Sequence, residues 1–274
     1  MFEELYKPLY GQITDSAGYL KRLGMDPIQK ADKETLDALV LAHQRSVPFE
    51  NLDIYDAKAD IDLSISALYD KIVTRRRGGY CFELNAAFEA LLKSLGYDCY
   101  ALEIRVIWNF SCFMPLSHRG IVVTIDGTRF FCDVGFGGPS PQSAILLDDL
   151  GEQPSGSEVF VIGKGAQYGM EGTTLSRMVD GKEEAILLFS EKPTDPVDFL
   201  APNEYQSKCK HSIFRGNRVL NLLTETGVIT LSGNVLKIHS GGDTIERTLE
   251  TETEIKDALK EHFGIEVDYT LTIK

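Results

Sequence analysis

The sequence predicts an α+β fold in which helices come first, strands follow and a mixed segment ends the chain. Apolar residues recur every three to four positions as far as residue 96 and every second position from residue 99 onward. Helices and strands that follow one another in blocks, rather than in alternation, are typical of this class. With 274 residues, 43% of them hydrophobic, the chain is long enough to bury a full core.

Three helices are predicted in the first third of the chain, and together they form a small helical bundle. The first covers 14–24. The second begins at Asp32 and presents one apolar stripe to the core, on which His43 is interpreted as a core histidine; the stripe consists of Leu36, Leu39, Val40 and His43. The third covers 82–95 and ends at Gly96, a residue type that readily terminates helices.

Strands are predicted in the middle of the chain, and Asp-Gly pairs at 126–127 and 180–181 join two of the strand pairs. Asp-Gly favours a two-residue hairpin turn because both central positions tolerate positive φ. The predicted strands are 99–107, 119–125, 128–134, 157–162, 173–179 and 182–189. Residues 191–214 contain three prolines and are predicted to be irregular. Short strands, a helix over 253–263 and a final strand over 265–273 are predicted to follow.

The charge of the chain excludes several classes of protein. Its 41 acidic and 28 basic residues give a net charge of −13, which repels a nucleic-acid backbone or an anionic membrane. No apolar run approaches the ~18–20 residues of a membrane span, and the start of the chain lacks the pattern of a signal peptide. We therefore expect a cytoplasmic protein. No His, Cys or carboxylate cluster has the spacing of metal ligands, so no metal is expected.

Five cysteines, an odd number without a C-x-x-C pair, are interpreted as thiols. Cys81 differs from the others because it lies in the first turn of the third predicted helix, directly after the basic turn 75–79. A helix N-terminus and nearby cations both stabilise a thiolate. From this position alone, a nucleophile and a buried structural cysteine are equally good interpretations.

A hairpin argument brings His118 close to Asp133. With a two-residue turn at 126–127, His118 lies opposite Gly135, and its side chain shares a face with that of Asp133. Diagonal neighbours are about 7–8 Å apart at the backbone, which these side chains can bridge. The opposite face is predicted to be the core; it carries Ile121, Val123, Ile125, Phe130, Cys132 and Val134.

A histidine and an aspartate aligned in this way can serve a nucleophilic cysteine. The imidazole takes the thiol proton, the carboxylate fixes the tautomer of the ring, and the thiolate attacks an acyl carbon. Cys81 is the candidate nucleophile. The alternative is that His118 only ends a strand and that Asp133 faces solvent.

Three motifs make the sequence resemble the arylamine N-acetyltransferases over residues 15 to 235. They are Val-Pro-Phe-Glu-Asn-Leu-Asp at 47–53, Arg-Gly-Gly-Tyr-Cys-Phe-Glu at 77–83 and Asp-Val-Gly-Phe-Gly-Gly at 133–138. The resemblance implies a helical bundle over 1–97, a central β-barrel over 98–200, and an interdomain segment with a C-terminal α/β lid over 201–274. It also implies a cysteine-protease-like catalytic core and a pairing of Arg77 with Glu50, while Arg75 and Arg76 are expected to be exposed.

The same resemblance implies an activity and a set of site residues. A triad of Cys81, His118 and Asp133 accepts acetyl from acetyl-CoA and passes it to the nitrogen of an arylamine or arylhydrazine. The residues expected to bind CoA are Gly135, Gly137, Ser207 and Ser212. Those expected to contact the acceptor are Phe136 and Phe214.

A basic segment gives a separate indication of a polyanionic partner. Residues 207–218 contain no acidic residue and four basic ones, namely Lys208, Lys210, Arg215 and Arg218. This local excess of positive charge suits CoA, and a solvated loop is the alternative. Two other functions stay open: a cysteine amidase or hydrolase that uses the same triad, and a non-catalytic protein that binds aromatic ligands.

Overall fold

A computed structural model describes residues 2–112, 114–167 and 170–273. No helix in these described ranges combines the length and the apolar composition that crossing a bilayer requires. The helices are α1 (Phe2–Tyr6), α2 (Ser16–Arg22), α3 (Lys33–Ser46), α4 (Leu52–Tyr55), α5 (Ile65–Tyr69), α6 (Cys81–Ser94), α7 (Leu200–Lys208), α8 (Ile213–Gly216) and α9 (Glu252–Phe263).

The three predicted helices of the bundle form as α2, α3 and α6. Asp15 and Asp32 cap α2 and α3 by accepting hydrogen bonds from backbone N–H groups three residues on. The predicted stripe of α3 is buried, including His43, which bonds to the hydroxyl of Tyr19. Every residue of α6 from Cys81 to Leu92 is buried, because this helix lies between the bundle and a β-sheet.

The second layer is an antiparallel eight-stranded sheet in the order β5-β4-β3-β2-β9-β8-β7-β6. Its strands are β2 (Asp98–Val106), β3 (Leu116–Ile125), β4 (Thr128–Cys132), β5 (Ile145–Leu146), β6 (Glu152–Ser155), β7 (Glu158–Gln167), β8 (Met170–Val179) and β9 (Lys182–Phe189). The side-chain amide of Gln153 in β6 bonds to the N–H and C=O of Leu146 in β5 at 2.8 and 2.9 Å. The sheet is thereby nearly closed into a barrel, which protects its two edges.

The predicted hairpin has the predicted register, with Ile125 opposite Thr128 and Ile121 opposite Cys132. Its two faces, however, are both apolar. One face packs on the helical bundle, and the other, with Val122 and Phe131, fills the barrel interior. The expectation of a single core face was therefore wrong, because the hairpin lies between α6 and the inside of the barrel.

A second sheet, covered by α9, combines four strands from the last quarter of the chain with the short strand β1. Its order is β1-β10-β11-β12-β13, with β1 (Phe49–Glu50), β10 (Val219–Leu223), β11 (Gly227–Ser232), β12 (Val235–Ser240) and β13 (Asp243–Thr248). Residues 265–273 do not form the predicted final strand. Two of their N–H groups bond to carboxylates instead, that of Leu271 to Glu252 and that of Thr272 to Asp56.

The prolines led us to expect that residues 191–214 are irregular, but most of this segment is helical. Asp195 caps a 3₁₀ turn over Pro196–Phe199, which continues into α7 and is followed by α8. Pro196 lies in the first turn of the 3₁₀ helix and Pro202 in the first turn of α7, where the missing N–H removes no intrahelical hydrogen bond. The prolines therefore start helices in this segment rather than prevent them.

Candidate active site

Cys81 is the first residue of α6, and its side chain is buried. Tyr80 precedes the helix in an extended conformation, and the carboxylate of Glu83 accepts a hydrogen bond from the Tyr80 N–H at 3.2 Å. The thiol lies 3.7 Å from the carbonyl oxygen of Ser117 in β3. The sulfur therefore lies at the positive end of the helix dipole.

His118 and Asp133 are in direct contact at the end of the hairpin. The two atoms, His118 Nε2 and Asp133 Oδ2, are 2.5 Å apart, and both residues are at most 3% exposed. The other oxygen of Asp133 accepts from the Gly135 N–H at 2.8 Å and from the Asn85 amide at 2.9 Å. Both carboxylate oxygens therefore have partners, which fixes the plane of the group.

The environment of His118 favours its charged form. Burial of the ring opposes protonation, but the charge of Asp133, its hydrogen bond and the interaction with the Cys81 thiol together raise the pKa of His118 to about 10. Since Asp133 contacts Nε2, Nδ1 is the ring nitrogen left for the sulfur. The structure thus brings His118 and Asp133 together, as the hairpin argument predicts, and places the candidate nucleophile Cys81 beside His118.

Asn85 and Gln44 also bond to the aspartate, and sequence reasoning missed both. Asn85 donates to the Arg119 carbonyl and to Asp133, and it accepts from the Val134 N–H at 3.0 Å. It lies one helical turn after Cys81, so the i, i+4 spacing could have identified it. Gln44 in α3 donates to the backbone oxygen of Asp133 at 3.0 Å, and no pattern in the sequence indicates this contact.

Gly135 lets α6 approach the loop that follows Asp133. A Cβ atom at this position would lie 3.1 Å from both the Cys81 Cα and the Asn85 Nδ2. Gly137 adopts φ +71, and a Cβ there would lie 2.8 Å from the ring of Phe49. The Gly135 N–H donates to Asp133 and so already has a partner within the protein. The contacts of Gly135 and Gly137 with CoA stay predictions.

A buried network of charged side chains supports the start of α6. Arg77 bonds to Glu50 and Asp53 at 2.7 and 2.8 Å, which confirms the expected pair with Glu50. Lys71 bonds to Asp53 and to Glu83, both at 2.7 Å. Burial opposes the charge on Asp53, but the two cations hold its pKa well below the usual range. Arg75 and Arg76, outside this network, are exposed as expected.

Aromatic side chains lie on two sides of the triad. The ring of Phe136 meets the His118 ring edge-on at 5.4 Å and is 6.1 Å from that of Trp108. Phe214 packs edge-on against Tyr80 at 5.5 Å. A cleft of about 880 Å³ lies between the barrel and the second sheet, with Phe49, Trp108, Phe136, Gly137, Arg177 and Asn221 among its lining residues.

The predicted CoA residues of the 207–218 segment already have partners within the protein. The Ser207 hydroxyl donates to the Asn203 carbonyl at 2.7 Å, and that of Ser212 donates to the Gln206 side chain at 2.9 Å. Arg218 was wrongly included in the surface basic cluster, because it is fully buried and paired with Asp56 at 2.8 Å. The roles of Ser207 and Ser212 stay predictions.

Comparison of the sequence with known proteins points to one family of enzymes. A family model described as "N-acetyltransferase" matches residues 32–272. The arylamine N-acetyltransferase of Mycolicibacterium smegmatis is 33% identical over 92% of both chains, and that of Escherichia coli is 28% identical over 91% of this chain and 88% of its own.

Solved structures agree with these relatives. The arylamine N-acetyltransferase of Salmonella typhimurium superposes with a TM-score of 0.86 at 25% identity, covering 96% of each chain. The Mycobacterium marinum arylamine N-acetyltransferase in complex with CoA gives 0.83 at 31% identity, covering 92% of this chain and 93% of its own. The resemblance therefore extends over nearly the whole fold.

Proposed function

Because this chain belongs to the arylamine N-acetyltransferase family and is therefore an acyltransferase, we propose that it carries acetyl from acetyl-CoA to an aromatic amine through a thioester on Cys81. The acceptor is the nitrogen of an arylamine or arylhydrazine. The names of the relatives and the CoA complex of one of them support the two substrates. The cytoplasmic location and the domain boundaries stay predictions.

In the first half-reaction, the Cys81 thiolate attacks the acetyl carbon of acetyl-CoA. A bond forms between the sulfur and that carbon, the bond from the carbon to the CoA sulfur breaks, and the leaving thiolate takes the proton of the His118 imidazolium. The raised pKa of His118 supports this charge state, since a histidine with a pKa of about 10 is protonated at neutral pH.

In the second half-reaction, the amine nitrogen attacks the carbonyl carbon of the thioester. His118, now neutral, accepts the proton that the nitrogen loses, and the carbon–sulfur bond breaks to restore the thiolate and the imidazolium. Asp133 holds the ring in one orientation and stabilises its charge, and Phe136 and Phe214 form the walls of the acceptor pocket. CoA contacts Gly135, Gly137, Ser207 and Ser212.

The observation that carries the covalent mechanism is the continuous contact from Cys81 through His118 to Asp133. It serves an amidase equally well, so the assignment to acetyl transfer depends on the relatives and not on the triad. The CoA complex of the M. marinum relative favours a thioester donor over a peptide.

Steady-state kinetics with mass spectrometry test the mechanism. Because one sulfur carries the acetyl group, initial-rate plots at several fixed amine concentrations should be parallel. Without amine, the enzyme should release about one equivalent of CoA in a burst, with the acetyl mass on the Cys81 peptide. A Cys209→Ala variant, which keeps the triad, serves as the control and should behave as the wild type. Intersecting plots together with an unmodified Cys81 peptide would exclude the thioester.

A further inference from the structure

Asn51 is a buried residue at the start of α4, and its side chain reaches residues 214–219, which lead from α8 into β10. It is 2% exposed and does not cap its own helix, although it occupies the N-cap position of α4. Its amide nitrogen donates to the backbone oxygens of Phe214 and Asn217, both at 2.8 Å, and its amide oxygen accepts from the Val219 N–H at 2.7 Å. All three bonds go to one short segment.

These three bonds define the turn that connects α8 to β10. Phe214 lies in α8 just before this turn, and its carbonyl is one of the groups that Asn51 holds. The ring of Phe214 contacts the rings of Tyr80 at 5.5 Å and Phe49 at 6.0 Å. Tyr80 immediately precedes Cys81, so the ring lies beside the start of α6. Within the part of the chain that the structure describes, the Asn51 side chain bonds to residues 214–219 and not to a triad residue.

The strand before Asn51 is fixed from both sides. In β1, Glu50 pairs with Leu220 of β10, and the Glu50 N–H bonds to the Gly79 carbonyl at 2.8 Å. The backbone that carries Asn51 therefore cannot follow a displaced Phe214. The Asn51 amide holds residues 214–219 to this backbone, next to the ion pair of Arg218 with Asp56. Loss of this amide would remove the bonds to Phe214, Asn217 and Val219, while β1 and Arg218 keep their own partners.

We propose that Asn51 is a positioning residue for the acceptor, which acts by holding Phe214 against Tyr80 and Phe49. This inference rests on the proposed function, because it assigns the ring of Phe214 to the wall of the arylamine pocket. Asparagine suits the role because it supplies two donors and one acceptor at once. An aspartate of the same shape would place oxygens against the two carbonyls, and an alanine would leave both carbonyls and the Val219 N–H without a partner.

The test compares the two half-reactions in Asn51→Asp and Asn51→Ala. Transfer from acetyl-CoA to Cys81 is followed by the CoA burst in the absence of amine, and transfer to the acceptor by steady-state rates with 4-methoxyaniline and phenylhydrazine. We expect the KM for both acceptors to rise about tenfold or more, while the burst rate changes less than about threefold. Asn217→Ala is the matched control, because its side chain bonds to Ser232 at 2.9 Å and not to the turn.

The wild type separates failure of this inference from failure of the proposed function. If the wild type shows no burst and no amine acetylation, the proposed function fails. If the wild type is active, an unchanged amine KM in the Asn51 variants, or an equal loss in both half-reactions, overturns the positioning role. Failure of both variants to fold, judged by thermal unfolding, also overturns the positioning role, since Asn51 would then stabilise the whole fold.

Discussion

Asp133 is the residue at which geometry and charge act together, because one oxygen serves His118 and the other is held by Gly135 and Asn85. Asp133→Asn keeps the shape of the side chain and removes its charge, so the imidazolium loses its main stabilising partner. We expect turnover to fall by up to about 10⁴-fold, as in the corresponding serine-protease variant. The fold should lose little stability, so the melting temperature should stay close to that of the wild type. Near-normal turnover with an unchanged melting temperature would show that another group orients His118.

His43 makes the stability of the bundle depend on pH. Burial, together with the charge of Arg22, lowers the pKa of His43 to about 3. The ordinary pKa in an unfolded chain is about 6.5, so between these values the unfolded state binds a proton that the folded state does not. The contribution of His43 to stability is therefore complete above pH ~6.5 and is lost as the pH falls toward 3.

A comparison with His43→Gln tests this dependence, because glutamine can still bond to Tyr19 but does not titrate. The difference in unfolding free energy between wild type and variant should shift against the wild type by up to about 1.4 kcal/mol per pH unit between pH 6 and 4. Urea unfolding at several pH values measures it. If the unfolding free energies of wild type and variant depend on pH in the same way, His43 is protonated in the folded state or is not buried.

At the scale of elements, the close approach of α6 to the loop after β4 depends on Gly135. Gly135→Ala adds a methyl group 3.1 Å from the Cys81 Cα, and neither the helix nor the loop can yield easily, since Asn85 ties them together. We expect kcat to fall about tenfold or more, with a stability loss of about 1–3 kcal/mol from overpacking.

Gly216→Ala is the control for this substitution. A Cβ at Gly216 would have no neighbour within 4 Å, and the backbone there does not have a positive φ. Its kcat and melting temperature should match those of the wild type. Equal effects of the two substitutions would show that the close approach to α6 has no part in the loss.

The elements could be predicted from the sequence as far as local spacing determines them. The stripe of α3 and the register of the β3–β4 hairpin depend on residues fewer than about 15 positions apart, and both are confirmed. The short strands β5 and β6 were missed, because two to four residues carry too little periodicity to be recognised. They belong to the sheet because β5 pairs with β4 and β6 pairs with β7, and the Gln153 side chain joins the two strands.

At the scale of the whole molecule, Arg218 links three parts of the chain. Its guanidinium bonds to Asp56 after α4, to the Gly233 carbonyl in the β11–β12 turn and to the Thr272 carbonyl near the end of the chain. Arg218→Ala leaves the carboxylate of Asp56 buried without its cation. Breaking one side of a buried ion pair costs about 3–5 kcal/mol, which urea unfolding would measure.

The double variant Arg218→Leu with Asp56→Leu is the matched control. It removes both charges and keeps apolar volume, so its stability loss should be clearly smaller than that of Arg218→Ala. Equal losses would indicate that the bonds to Gly233 and Thr272 matter more than the ion pair. Lys208, which pairs at the surface with Asp60 and Glu204, should tolerate substitution with little change in stability, because solvent screens exposed ion pairs.

The sequence by itself determined the α+β class, the main helices, the hairpin register and the candidate triad, because each depends on spacing along one element or on a short motif. Only the tertiary structure decided that the hairpin is apolar on both faces and that Arg218 lies inside rather than in a basic surface patch. It also revealed the contacts of Asn85, Gln44 and Asn51. The physical reason is that burial and hydrogen-bond partners depend on which distant segments pack together, and no local pattern records that choice.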